Sequence, residues 1–362
     1  MINQPHSPAV NPQKILVIRF SSLGDVVLSM PLLHFLQVTY PAAQLDFLIR
    51  KEYAELVRNH PAVNRVIEFD VSEGFSGLLQ LRKSLQSKGY HLVLDIHNNI
   101  RSRVLTFPAR RFQRVSRVRK NQFIRFLLVH FKLNLYRVFY ERPPKVWQKY
   151  LRTISEEWRN WSRSEMTRVF LSRESREKVK GILKETGIVP PFAVMAPGAR
   201  HFTKRWPEHY YTELINRLYG KYKIPTILLG GPDEAGLAEN IAKNARGYAA
   251  YPLAGKLTIS ETAAVIEQAE VMVTNDSGLM HLGAASNRKL VAIFGSTVEE
   301  LGFFPETENV LIVEDKELKC RPCSHIGRSK CPKKHFGCML NLRPDKVFRL
   351  MEEAGFFTNL SR

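Results

Sequence analysis

Asp25 stands where an apolar, β-branched run (residues 15–20) gives way, through Ser21-Ser22-Leu23-Gly24, to a stretch with Val26, Val27, Met30, Leu33 and Leu36 in helical spacing. The first run reads as a buried parallel strand and the second as a helix that opens at Asp25. In an open α/β sheet such a junction lies at the carboxyl edge of the strands, where ligands bind. A carboxylate there has two uses. It caps the helix, as Asp at a helix start commonly does, or it takes a proton as a general base.

A second set of candidates lies in the C-terminal half. An apolar strand over residues 192–195 ends in Ala196-Pro197-Gly198-Ala199-Arg200, with Thr203-Lys204-Arg205-Trp206-Pro207 just beyond. A strand over 226–229 ends in Gly230-Gly231-Pro232-Asp233-Glu234, and one over 271–274 ends in Asn275-Asp276-Ser277-Gly278, where a helix begins at once. A helix N-terminus offers free backbone N–H groups and a partial positive charge, which together bind phosphate. Gly278 lets a ligand approach the backbone, and the Ser277 hydroxyl adds a hydrogen bond. Lys204 is a compact cation that neutralises a phosphate, and His281 is one turn into the same helix. Singly, each loop is a turn and the histidine a core residue; three loops at one sheet edge predict a nucleotide-binding half.

A third cluster gathers every cysteine of the chain, Cys320-x2-Cys323-x7-Cys331-x6-Cys338, with His325 and His335 close by. Four thiolates in two close pairs bind structural zinc tetrahedrally. The bland alternative is reduced thiols packing a loop, disulfides being rare in the cytoplasm.

The elements that must hold these residues alternate between strand and helix. Strand patterns over 44–49, 66–69 and 91–95 follow the first one, with helical patterns over 52–59 and 78–88 between them, and the second half repeats the alternation. This predicts an α/β protein with parallel sheets covered by helices. At 362 residues the chain suits two domains. The expected division is a disordered tail over 1–13, an N-terminal domain over 14–172, a linker helix over 173–190 stopped by Gly187 and Pro190-Pro191, and a C-terminal domain over 191–362. The opening residues have no apolar core region and do not read as a secretory signal. No run reaches the length of a membrane span, and the expected compartment is the cytoplasm.

The net charge is +20 and the pI about 9.9. Residues 101–150 hold 14 Lys/Arg against one acid, Glu141, which is +13 of that excess. A field this local implies an anionic partner: nucleic acid, a membrane surface or a phosphorylated substrate. Within it, residues 122–139 are rich in Phe and Leu yet interrupted by Arg125, His130, Lys132 and Arg137. Two readings stand: an interfacial helix on an anionic membrane, or a core helix with snorkelling basic side chains. A nucleic-acid binder has the charge but none of the motifs; no helix-turn-helix, finger or aromatic-rich RNA motif is present. A nicotinamide oxidoreductase lacks its G-x-G-x-x-G after the first strand.

These blocks together resemble glycosyltransferase family 9, the ADP-heptose:lipopolysaccharide heptosyltransferases. The resemblance is carried by RFSSLGDVVLSMPLL (residues 19–33), LDIHNNIRSR (94–103), APGARHFTKRWP (196–207), the block over 253–285 that contains NDSGLMH, and the cysteine segment. It implies the GT-B architecture, two Rossmann-like domains facing each other across a cleft, with acceptor in the first and nucleotide sugar in the second. It implies Asp25 as general base of an inverting transfer of heptose from ADP-heptose to the lipopolysaccharide inner core, with no cofactor required for that step. Lys204, Asp276, Ser277, Gly278 and His281, with Gly198, would hold the donor diphosphate, and Asp233 and Glu234 its ribose or sugar. Ser22, Gly24, Arg101 and Arg103 are the candidates for acceptor contacts. The alternative within the family is another nucleotide sugar or acceptor. The implied location is the inner face of the cytoplasmic membrane, with no nucleic acid bound. Ala199-Arg200-His201 stand where some relatives carry hydroxyl residues, and Leu279 where many carry proline.

Overall fold

The structure, a computed structural model, describes residues 11–140, 142–154, 167–247 and 249–358. Most of the expected tail, residues 1–10, lies outside them. The chain divides into two compact units: Met1–Lys120 with Val146–Phe170, and Asn121–Lys145 with Leu171–Arg362.

The first unit is built on five parallel strands: β1 (Lys14–Ile18), β2 (Gln44–Arg50), β3 (Arg65–Phe69), β4 (Leu92–Asp95) and β5 (Arg114–Arg117), in the order β3-β2-β1-β4-β5. β1 runs down the middle with Ile15–Ile18 fully buried, as a strand covered on both faces requires. Ile18 is in register with Asp95 of β4. Leu16, Ile18, Leu48 and Val93 form the sheet side of one core, with Leu78, Leu85 and Tyr90 packed on them. β5, alternating with arginine inside the basic stretch, was not among the expected strands.

The second unit carries six parallel strands: β6 (Ala193–Ala196), β7 (Thr226–Leu228), β8 (Ala250–Pro252), β9 (Val271–Asn275), β10 (Lys289–Phe294) and β11 (Val310–Glu314), in the order β11-β10-β9-β6-β7-β8. Counted within the unit, this is the doubly wound order of dinucleotide-binding folds. Chain direction across each sheet reverses once: between β1 and β4 in the first unit, between β6 and β9 in the second. Those two switch points are where such sheets bind ligands.

Three local expectations change. The helix expected to open at Asp25 and run on is two helices, Leu23–Val27 and Met30–Thr39. Pro31 has no N–H to give the Val27 carbonyl, so the first helix ends there, and the Ser29 hydroxyl takes up the Val26 carbonyl at 2.6 Å. The expected linker helix, Arg173–Glu185, is part of the second unit. It buries Val179 and Leu183 and forks Arg176 onto Glu267 of the helix Ile259–Gln268 at 3.0 and 3.1 Å. Residues 121–145, expected in the N-terminal domain, also belong to the second unit. Leu128 and Tyr136 pack there on Leu301, and Lys132 Nζ donates to the carbonyls of Cys320 and Pro322.

Candidate active site

At the switch point of the first unit, the loop after β1 presents Asp25. The helix begins two residues earlier than the sequence pattern indicates, with Ser22 as its N-cap and Asp25 in its first turn. The Asp25 carboxylate reaches back and accepts from the Ser22 backbone N–H at 3.3 Å and from the Ser22 hydroxyl at 2.9 Å, all on Oδ2. Arg19, the first residue after β1, places Nη2 2.6 Å from the same oxygen. Tyr150, on the helix Val146–Leu151, donates its hydroxyl to Oδ1 at 3.1 Å, and its ring lies 5.5 Å from the Arg19 guanidinium. Arg19 is itself fixed by donating to the Ile96 carbonyl at 2.8 Å.

Burial alone would raise the Asp25 pKa. The Arg19 charge and the hydrogen bonds from Ser22 and Tyr150 outweigh it, so the pKa is lowered and the group is ionised at neutral pH. Burial, with Arg19 and Lys120 adding to it, drives the neighbouring His97 down to about 3, so its imidazole is neutral. The corner thus holds an ionised carboxylate beside a neutral imidazole.

The loop after β4 is organised by a second carboxylate. Buried Asp95 accepts from the backbone of His97 (3.2 Å) and Asn98 (2.7 Å) and from the Ser102 hydroxyl (2.8 Å). Asn98 is held in the left-handed region and accepts from Arg103 Nε at 3.0 Å. Of the acceptor candidates, Ser22 and Arg103 are exposed, and Gly24 is buried inside its helix. Arg101 is exposed beside Phe75 and Ile100, along a cavity of about 270 Å³.

At the switch point of the second unit, Lys204 Nζ lies 2.7 Å from Asp276 Oδ2, and the Thr297 hydroxyl donates to the same oxygen at 2.5 Å. Asn275 joins the two strand-end loops. Fully buried, it donates to the Pro197 carbonyl at 2.7 Å and accepts from the Trp206 N–H at 3.0 Å. Ser277 caps the helix Gly278–Ala285, and Ser277 and Gly278 are half-buried, open to a ligand. His281 is buried in that helix, its ring 6.3 Å from Phe303, and does not stand at the open edge. Glu234 lies against Gly198, where any Cβ would collide with its carboxylate, and accepts from the Gly231 N–H at 2.9 Å. Burial raises the Glu234 pKa. Asp233 is exposed on the turn beside it.

The four cysteines are free thiols that, with His335 and Lys132, line one cavity of about 170 Å³. Burial pushes Cys338 up to about 12. Cys320 Sγ lies 3.7 Å from His335 Nε2. Among the described residues no three metal-ligating side chains stand together closely enough to hold an ion, so the zinc reading has candidate ligands around a cavity but no formed shell.

Sequence reasoning reached Asp25, Lys204 and the Ser277-Gly278 turn. It missed Arg19, Tyr150, His97, Thr297 and Asn275 as members of these sites. Arg19 and Asn275 are strand-end residues next to recognised loops and carried a signal. Tyr150 comes from 125 positions away and carried none.

The sequence model of glycosyltransferase family 9 (heptosyltransferase) matches residues 78–334. The chain is 30% identical over 301 residues to a lipooligosaccharide heptosyltransferase 2 of Haemophilus ducreyi, covering 78% of this chain and 84% of that protein. To the enzyme of the same name from Haemophilus influenzae it is 27% identical over 297 residues, covering 78% and 83%. Its fold matches the solved E. coli ADP-heptose lipopolysaccharide heptosyltransferase II with a TM-score of 0.73 at 21% identity, over 96% of this chain and 99% of that one. With two doubly wound units of the GT-B kind, each with a charged pair at its switch point, the chain belongs to glycosyltransferase family 9 and is a glycosyltransferase.

Proposed function

We propose that the protein transfers a heptose from ADP-heptose to the inner core of lipopolysaccharide, on a lipid A–Kdo acceptor or its heptosylated form, with inversion at the anomeric carbon. The observation that carries this reading is the Asp25 carboxylate, held ionised by Arg19, Ser22 and Tyr150 at a ligand-binding edge. The named relatives support the sugar and the acceptor class.

In this reading the acceptor hydroxyl oxygen attacks the anomeric carbon while the bond from that carbon to the diphosphate oxygen breaks. Asp25 takes the hydroxyl proton as the new bond forms, a contribution of about 10²–10⁴-fold. The departing ADP leaves with the electron pair. Its charge is met by the Lys204 ammonium and by the N–H groups at Ser277 and Gly278, donors already in place when charge develops. Asp276 holds Lys204 and is not itself a phosphate ligand, since two anions in contact repel. Asp233 and Glu234 serve the ribose or sugar. Arg101 and Arg103 meet phosphate or carboxylate groups of the acceptor. The step assigns no role to a divalent metal, and turnover is expected to persist in a chelator. Structural zinc at the four cysteines is a separate proposal, which metal analysis of the purified protein decides. The protein acts peripherally at the inner face of the cytoplasmic membrane; among the described residues no helix is long and apolar enough to cross one.

The test is a donor screen with purified protein, a panel of nucleotide sugars and truncated lipopolysaccharide acceptors, reading nucleoside diphosphate release. ADP-heptose is expected to give acceptor-dependent ADP. Release from a different nucleotide sugar only would move the protein to the second reading, a family 9 enzyme of other specificity.

A further inference from the structure

The basic, phenylalanine-rich segment is fixed on one side and uncovered on the other. The helix Gln122–Phe131 turns Ile124 and Leu128 towards Leu301, Val298 and Phe303, and the helix Tyr136–Phe139 adds Tyr136 to the same cluster. Lys132 ties the turn between them to the carbonyls of Val129, Cys320 and Pro322, and Asn134 donates to Glu300 at 2.7 Å. This side accounts for a core helix. The other side is not what a core helix leaves in water. Phe123, Phe131, Val138 and Phe139 are each 61–71% exposed, with Phe126 and Leu133 about half exposed beside them. Phe123 and Phe126 are three residues apart on the helix, so they share a face. Single exposed apolar residues are ordinary; six within 17 positions of one segment mark an interaction surface.

The charge around that surface identifies its occupant. Not one Asp or Glu occurs from Arg101 to Tyr140. Arg137 is 80% exposed at its side chain, with Nη2 3.9 Å from the largely buried Glu300, and Arg142 is exposed just after the second helix. Aromatic rings flanked by an excess of cations are the chemistry of the lipid headgroup boundary: rings enter the acyl edge and guanidinium groups meet phosphate. We infer that residues 122–140, with Arg142, form the face by which the second unit lies on an anionic lipid bilayer, with Phe123, Phe131 and Phe139 inserted and Arg137 and Arg142 on the phosphates. Both earlier readings of the segment then hold, one for each side. The inference rests on the proposed peripheral location and adds to it the surface and the residues.

The experiment is vesicle co-sedimentation of the full chain, with phosphatidylcholine alone and with phosphatidylcholine mixed with phosphatidylglycerol. The wild type is expected on the anionic vesicles only, with binding that weakens as salt rises. Phe123→Ser/Phe139→Ser is expected to lose at least about tenfold in partitioning, and Arg137→Gln/Arg142→Gln to lose the preference for phosphatidylglycerol. Neither pair touches Asp25 or Lys204, so turnover on a deacylated, water-soluble acceptor should be unchanged while turnover on a vesicle-borne acceptor falls. Failure of the wild type to bind, or equal binding by the Phe123→Ser/Phe139→Ser variant, overturns the inference. So does a concentration-dependent dimer that the same variant abolishes, because a second copy then covers the face. The vesicle arm uses neither donor nor acceptor, so its result is independent of the transfer reaction.

Discussion

In the first unit the guanidinium of Arg19 lies 2.6 Å from Asp25, and in the second the ammonium of Lys204 lies 2.7 Å from Asp276. Both pairs sit where their sheet reverses direction, between β1 and β4 in one and β6 and β9 in the other. The side-chain exposures are inverted. Asp25 is 20% exposed over an Arg19 at 10%, whereas Lys204 is 14% exposed over an Asp276 at 6%. In the first unit the open member is the carboxylate, and the cation beneath it is a planar, permanently charged group pinned to the Ile96 carbonyl. In the second the open member is a flexible cation, and the carboxylate beneath it is held by Thr297. The same pairing thus turns a carboxylate towards the open edge in one unit and an ammonium in the other. What decides between them is which partner the fold buries.

The largest effect should come from removing the open carboxylate. Asp25→Asn keeps the shape and the Tyr150 contact but has no lone-pair charge to accept the proton. Turnover is expected to fall by about 10²–10⁴-fold, with nucleotide affinity close to wild type and thermal stability lowered, because the buried Arg19 guanidinium loses its anionic partner. Single-turnover kinetics with ADP release, alongside calorimetric binding of ADP, checks both halves. Near-normal turnover would remove Asp25 as base, and with it the contrast between the two edges.

The second unit is tested by asking which member of its pair touches the ligand. Lys204→Ala is expected to cost about 10²-fold in kcat/KM, with weaker ADP binding, because charge on the leaving group goes unmet. Asp276→Asn leaves the cation in place and loses only its anchor, so the expected cost is about tenfold or less. ADP titrations of the two variants read the order. If Asp276→Asn were as damaging as Lys204→Ala, the buried carboxylate would have a role beyond positioning, and the inverted-pair account would fail.

How far the sequence reached into this arrangement follows from the range of each signal. β1, β4, β6 and β9 are continuous apolar runs closed by polar or small residues, so the strand ends and the loops that hold Asp25, Lys204 and Ser277 were readable from neighbours in the chain. The start of the first helix was misplaced because Asp25 and Ser22 are both capping residues. Only the backbone shows that Ser22 is the cap and Asp25 the residue that reaches back to it. The assignment of residues 121–145 failed for a different reason. Helical spacing marks which residues of a segment are apolar, not which body they pack on, and the partners Leu301 and Phe303 lie more than 150 residues further along. Three-residue β8, which ends in Pro252 at the sheet edge, is too short to give a period at all.

Tyr150 is the contact that no local pattern could supply, and it sharpens the account of Asp25 most finely. Tyr150→Phe keeps the ring beside Arg19 and removes one hydrogen bond to the carboxylate. Because that bond lowers the Asp25 pKa, its loss must raise it. The acidic limb of kcat/KM, expected below the ordinary carboxylate range in the wild type, should therefore move to higher pH. At neutral pH the rate should drop only about threefold to tenfold, as for one hydrogen bond to a charged group partly replaced by water. Stability follows the same sign. A carboxyl with a depressed folded-state pKa contributes stability above its unfolded value and loses it as pH falls through the folded one. The variant should thus be slightly less stable than wild type at neutral pH and converge with it in acid. A pH–rate profile paired with thermal melts across the same range reads both. An acidic limb that stays in place would mean that Arg19 and Ser22 alone hold the base ionised.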